Sequence, residues 1–194
     1  IVSGVGLADV QYSARSGSAI INRLDRPVSG LVLIAKNKSA AAKYSTLMQK
    51  EGGFNKQYEA LICGKLSELK GTFVDYLKKD GRTNTSAIVP ADAAANDKEA
   101  KLSKLEYEVI SYDEVKDITH VRIHLITGRH HQIRVQFASR RHPLVGDYKY
   151  ATAYCGMDNA VKAVALKRNQ IALCAVSLTI DNKTFSVTPD FVIN

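Results

Sequence analysis

The stretches SKLEYEVISY (103–112) and THVRIHLITG (119–128) decide how the rest of the chain is read. Leu105, Tyr107 and Val109 alternate with Glu106 and Glu108, and Val121, Ile123 and Leu125 alternate with Arg122 and His124. A period of two puts apolar side chains on one face and charged ones on the other, so each stretch predicts a half-buried strand. The short polar link through Val115, Lys116 and Asp117 predicts that the two pair antiparallel.

The same reading extends in both directions. KQYEALICG (56–64) predicts a strand with Tyr58, Ala60 and Ile62 on one face, Glu59 and Leu61 on the other, and Gly64 at its end. GTFVDYLKKDGRTNTSAIV (71–89) predicts two strands about a turn at Asp80-Gly81, and ADAAANDKEA (91–100) a polar loop. LTIDNKTFSV (178–187) predicts a hairpin with Asp181-Asn182 at its tip. Ahead of these, LVLIAK (31–36) predicts a buried strand, and SAAAKYSTLMQKEGG (39–53) a helix with Ser39 as N-cap and Gly52 as stop. The first twenty residues carry no sustained period and predict no element. In TGRHHQIRV (127–135) both periods fit, but Gly128 ends a strand, and the pairs Ile133/Phe137 and His130/Arg134 share a helical face, so a helix is predicted. The sum is a strand-rich α+β fold without internal repeats.

The 27 Lys and Arg against 19 Asp and Glu give a net charge of +8, which favours a polyanionic partner, nucleic acid first. Three scattered cysteines indicate neither a disulfide framework nor a cysteine zinc site and suit a reducing cytoplasm. No apolar run approaches the ~18 residues of a membrane span.

Two segments concentrate chemistry. INRLDRPVSG (21–30) sets Asp25 between Arg23 and Arg26 at the start of an apolar strand. A carboxylate among guanidinium groups stays ionised, as a nucleophile or base must, although a plain surface ion pair reads equally well from the residues alone. TGRHHQIRVQFASRRHPLVGD (127–147) holds Arg129, His130, His131, Gln132 and Arg134. All five histidines fall between residues 120 and 142, but no matching Cys or acid gives them a zinc spacing, so local hydrogen bonds or phosphate contacts are the expectation, with no metal.

RLDRPVSG (23–30), KQYEALICG (56–64), and TGRHHQIRV (127–135) with HPLVGDYKY (142–150) together resemble the RluA-type pseudouridine synthases in order and spacing. The resemblance implies a mixed, mainly antiparallel sheet with flanking helices. It also implies an isomerase that turns uridine into pseudouridine in ribosomal or transfer RNA without a cofactor or metal, as a cytoplasmic monomer. Asp25 matches the essential aspartate, Arg134 its arginine partner, and Tyr58 the tyrosine that stacks on the flipped base. Arg23, His131 and Gln132 would bind substrate, and Arg26, Arg129, Arg140, Arg141 and Lys149 would contact phosphates. Asn22, His130 and Gln136 depart from the family's His, Thr and His, which is expected to bear on substrate choice. Residues 1–194 are expected to form a single catalytic domain lacking the family's N-terminal strand, with no S4-like domain. A basic RNA-binding module without turnover stands as the alternative, and a metal-dependent nuclease using Asp25 and the histidines as a third.

Overall fold

The computed structural model describes residues 2–3, 18–50, 53–155 and 170–191. In chain order the elements are strands β1 (Val2–Ser3), β2 (Ala19–Ile20), β3 (Ser29–Val32) and β4 (Ile34–Ala35), helix α1 (Lys38–Gln49), strands β5 (Asn55–Cys63), β6 (Lys70–Asp80) and β7 (Thr85–Val89), and helix α2 (Ala91–Ala94). There follow strands β8 (Lys101–Asp113) and β9 (Ile118–Leu125), helices α3 (Gln132–Ala138) and α4 (Tyr148–Cys155), and strands β10 (Leu173–Ile180) and β11 (Lys183–Ser186).

One sheet takes most of these strands in the order β1-β3-β10-β5-β9-β8-β6-β7, with β11 on β10. Only β3 and β10 run parallel among the described pairs of that sheet, so the mixed, mainly antiparallel architecture is as expected. The alternation in residues 103–112 and 119–128 is realised in β8 and β9, which pair antiparallel from Leu105↔Leu125 to Asp113↔Ile118 with a bulge between Val109 and Ser111. Leu105, Tyr107, Val121, Ile123 and Leu125 join Tyr58, Ala60, Ile62 and Phe73 in one buried cluster, against which α3 packs Ile133 and Phe137. The opposite face of β5 sends Leu61 and Cys63 into a second cluster with Cys174 and Val176 of β10. At the β10–β11 tip, Asp181 and Asn182 take φ of 48° and 58°, the left-handed pair that a two-residue hairpin requires.

Several local expectations are corrected. LVLIA is not one strand: β3 lies in the main sheet, whereas β4 pairs with β2 in a separate two-stranded sheet. The break falls at Leu33, whose N–H donates to the Asn22 side chain at 2.6 Å, while Asn22 Nδ2 donates to Leu31 O at 3.2 Å. Asn37, not Ser39, caps α1, accepting from Ala40 N at 2.8 Å because its extended backbone turns the side chain onto the open helix end. Gly52, the expected stop, lies outside the described residues. Residues 91–94 of the expected loop form α2, and β1 and β2 fall within the first twenty residues, where no element was expected. Among the described residues no helix is long and apolar enough to cross a membrane.

Gly30, in the RLDRPVSG motif, has φ +121°, and a methyl on it would collide with the backbone N and O of Ala175 on the parallel neighbour β10. Gly30→Ala is expected to lower unfolding free energy by about 2–3 kcal/mol, adding backbone strain to a forced separation of β3 from β10. Urea unfolding of the two proteins side by side measures it.

Candidate active site

Asp25 sits in the loop between β2 and β3, where Val28 N–H closes a turn on Asp25 O at 2.9 Å and Ile171 N–H ties the loop to β10's start through Pro27 O at 3.1 Å. Leu24 and Val28, both partly buried, pack on the main core and hold the loop on either side of the carboxylate. Across from it stands α3. Arg134 is 6% exposed and approaches Asp25 Oδ2 through Nη1 at 3.3 Å. Its Nε and Nη2 donate to the two oxygens of Asp147 at 2.7 and 2.9 Å. The tight fork-on-carboxylate pair is therefore Arg134 with Asp147, itself 2% exposed, and Asp25 takes the remaining donor. Burial works against the Arg134 charge, but the hydrogen bonds and charge of Asp147, with Asp25 behind them, outweigh it and raise its pKa. Asp147 is the residue that sequence reasoning missed, though it ends the quoted stretch HPLVGD.

The N-cap of α3 is His131, in the left-handed region at φ 53°. Ser86 N–H donates to the Tyr150 hydroxyl at 2.9 Å, so the hydroxyl proton is left for His131 Nδ1 at 2.7 Å. This puts the ring proton on Nε2, the nitrogen 3.7 Å from Asp25 Oδ2. Both named neighbours of Asp25 thus lie on Oδ2, and Oδ1 has no hydrogen-bond partner among the described residues.

Burial, with the Arg134 charge beside it, pushes the His131 pKa down to about 3. The unfolded ring takes a proton near its ordinary value while the folded ring refuses it. The stability this histidine contributes is therefore complete above about pH 6.5 and falls as pH drops toward 3, by up to about 1.4 kcal/mol per unit. His131→Phe is expected to flatten the loss of stability between about pH 6 and pH 4 by that slope, read from urea midpoints.

Tyr58 reaches the site from β5. It belongs to the core cluster and also lines, with Asp25, Arg134, Arg23, Arg129, His131 and Gln132, a cavity of about 310 Å³. Burial, then the nearby Asp25 charge, raises its pKa, so the ring is presented with its hydroxyl protonated. The three catalytic candidates come together on one cavity. Arg23 and Arg129 are exposed at its rim, the latter donating from Nε to Leu102 O at 3.0 Å. Arg26 and Lys149 are exposed but do not line the cavity, and Lys149 Nζ rests on Thr83 O and Asn84 O.

Other expected contacts have internal partners. Gln132 accepts from Thr127 Oγ1 and Arg129 N and donates to Lys104 O and Gln136 Oε1, fastening the start of α3 to β8. Gln136 is fully buried and donates to Asp75 Oδ2 at 2.6 Å. Arg140 grips the same Asp75 with two nitrogens and lies 4.0 Å over the Phe73 ring, and Arg141 donates to Tyr154 O. The amides of Asn22 and Gln136 are thus spent on the fold, and of the three departures only His130, half-buried and stacked 3.7 Å on His131, stands beside the Asp25 site without being tied into the backbone. Apart from the stacked His130 and His131, the histidines lie apart, and each has its own partner: His120 meets Glu59, His124 Glu106, His130 Ser86, His131 Tyr150 and His142 Cys63 O.

A family model described as RNA pseudouridylate synthase matches residues 5–139, a span that contains Asp25, Tyr58 and Arg134. The chain belongs to the RNA pseudouridylate synthase family. Within that family it is similar to the ribosomal large subunit pseudouridine synthase D of Blochmanniella floridana, 36% identical over 135 residues, which are 69% of this chain and 38% of that protein. It is also similar to the protein of the same name in Vibrio vulnificus, 30% identical over 168 residues, covering 85% of this chain and 48% of the relative. The chain thus spans less than half the length of these curated relatives. Among solved structures, human RNA pseudouridylate synthase domain containing 1 superposes with a TM-score of 0.67 at 25% identity, over 90% of this chain and 69% of that one.

Proposed function

We propose that this chain, read as one catalytic domain, isomerises uridine to pseudouridine in structured RNA, and that its substrate is ribosomal RNA. The observation that carries the reading is Asp25: one oxygen lies beside Arg134, the other has no partner among the described residues, and Tyr58 lines the same cavity. The ribosomal large subunit named in its relatives supports the choice of RNA.

A uridine within a stem must leave its stack to reach such a cavity, and an aromatic wall replaces the stacking it gives up. Tyr58 supplies that wall. The reaction breaks C1′–N1, joins C1′ to C5, loses the C5 proton and returns one to N1, so it is balanced without an oxidant or reductant. Asp25 acts on the nucleotide through Oδ1, with Arg134 steadying Oδ2. Arg23 and Arg129 at the rim suit the flanking phosphates, and Arg26 and Lys149 extend the positive surface beyond it.

The test is tritium release from an unmodified large-subunit ribosomal RNA transcript carrying 5-tritiated uridine, with and without chelator. Release that survives chelation is expected. Binding without release would overturn the isomerase reading in favour of a module that only binds RNA.

A further inference from the structure

Besides Arg134 and the exposed Arg23 and Arg129, the cavity of Asp25 and Tyr58 is lined by a partly buried cation, Lys56. Lys56 stands on β5 two residues before Tyr58, hence on the same face of the strand, and its side chain lines the cavity. Its Nζ lies over Gly128, where a methyl would come within 3.4 Å of it. Lys43, Lys70, Lys78 and Lys116 each sit on a carboxylate, but Lys56 has neither a carboxylate nor a hydrogen-bond partner among the described residues. Burial lowers its pKa with no opposing charge to restore it. An ammonium partly out of water and unpaired is costly, and an electron-rich ligand in the cavity relieves that cost.

Burial decides which part of a nucleotide arrives there. Arg23 and Arg129, at the same cavity, are exposed, whereas Lys56 is partly buried. Phosphates keep their hydration and stop at the rim, so the group that reaches Lys56 is the base. We propose that Lys56 donates a hydrogen bond to a uracil carbonyl oxygen and stabilises the negative charge the base acquires as its bond to ribose breaks. The inference rests on the isomerase reading above. When C1′–N1 breaks, its electron pair passes into the ring and spreads over N1 and the carbonyl oxygens, beside Lys56. The electron-poor sugar is left to Asp25, which lines the same cavity. A pair from the ring then forms C1′–C5, the C5 proton departs leaving its bonding pair in the ring, and N1 takes up a proton. Stabilising a charge that exists only during the reaction lowers the barrier without tightening binding.

The test uses two ribosomal RNA transcripts, one with 5-tritiated uridine and one with 5-fluorouridine, whose more acidic base needs less help to leave. Tritium release reads the first, and appearance of the carbon-linked fluoronucleoside in nuclease digests reads the second. Lys56→Met is expected to slow single turnover on uridine by about 100-fold with RNA affinity within about twofold, and to slow the fluorouridine reaction at least about tenfold less. Lys56→Arg should recover part of the rate. The melting temperature of Lys56→Met should not fall, since the change removes an unpaired charge. Equal slowing on both transcripts, or weakened binding at an unchanged rate, overturns the inference while the isomerase reading stands. A native chain inactive on both overturns the isomerase reading and this inference together.

Discussion

Asp25→Asn should release tritium from 5-tritiated ribosomal RNA at least about 10³-fold more slowly than the native chain, yet bind the same RNA within about threefold. The substitution keeps the shape of the side chain and removes its charge and one of its carboxylate oxygens. Little in the fold depends on that charge, because Arg134 retains both its bonds to Asp147 and the loop is held by Val28, Pro27 and Leu24. On the proposed reading the RNA is held chiefly by phosphate neutralisation at the exposed cations, so affinity should persist. Retained turnover would remove Asp25 from the mechanism. A collapse of RNA binding would mean instead that the carboxylate organises the binding surface.

What the sequence makes legible is what depends on neighbours along the chain. β5, β6, β8 and β9 are visible because alternation needs only a few consecutive residues, and the Asp181-Asn182 turn because two residues suffice to make it. Contacts made at long range are not visible. Asn22 reads as a substitution near the cavity, but its amide bridges Leu31 and Leu33 across the turn between β2 and β3, and this bridge splits one predicted strand into two. Gln136 reads as a position bearing on substrate choice and Arg140 as a phosphate contact, yet both are drawn to Asp75, 61 and 65 residues away. Polar residues that could serve either water or a buried partner look alike until the partner's position is known. The same applies at the site itself. Asp25, Tyr58 and Arg134 could be matched to motifs, whereas Asp147 reads only as the end of HPLVGD until it is seen holding Arg134 with both oxygens. Lys56 shows the converse: it is visible in KQYEALICG, but its significance lies in having no partner among the described residues.

Asp147→Asn is expected to lower unfolding free energy by about 3–5 kcal/mol, the range for breaking a buried ion pair from one side. Asp147 is 1% exposed at its side chain and Arg134 7%, so water cannot replace what is removed. One oxygen of the amide could still accept a bond, but no negative charge would remain to offset the guanidinium except Asp25 at 3.3 Å. The arginine would then be drawn toward Asp25 and away from the position in which it leaves Oδ1 unencumbered, so turnover should fall along with stability. Arg134→Met/Asp147→Leu separates the two effects. Replacing both charges with apolar groups removes the pair together with its desolvation cost, so the double variant should recover more than half of the stability lost in Asp147→Asn. It should nevertheless remain inactive, because Asp25 has then lost its arginine. Chemical denaturation and tritium release on the native, single and double variants form the measurement. If the double variant is less stable than Asp147→Asn, the pair contributes through packing rather than charge, and Asp147 does not serve as the electrostatic mount of the site.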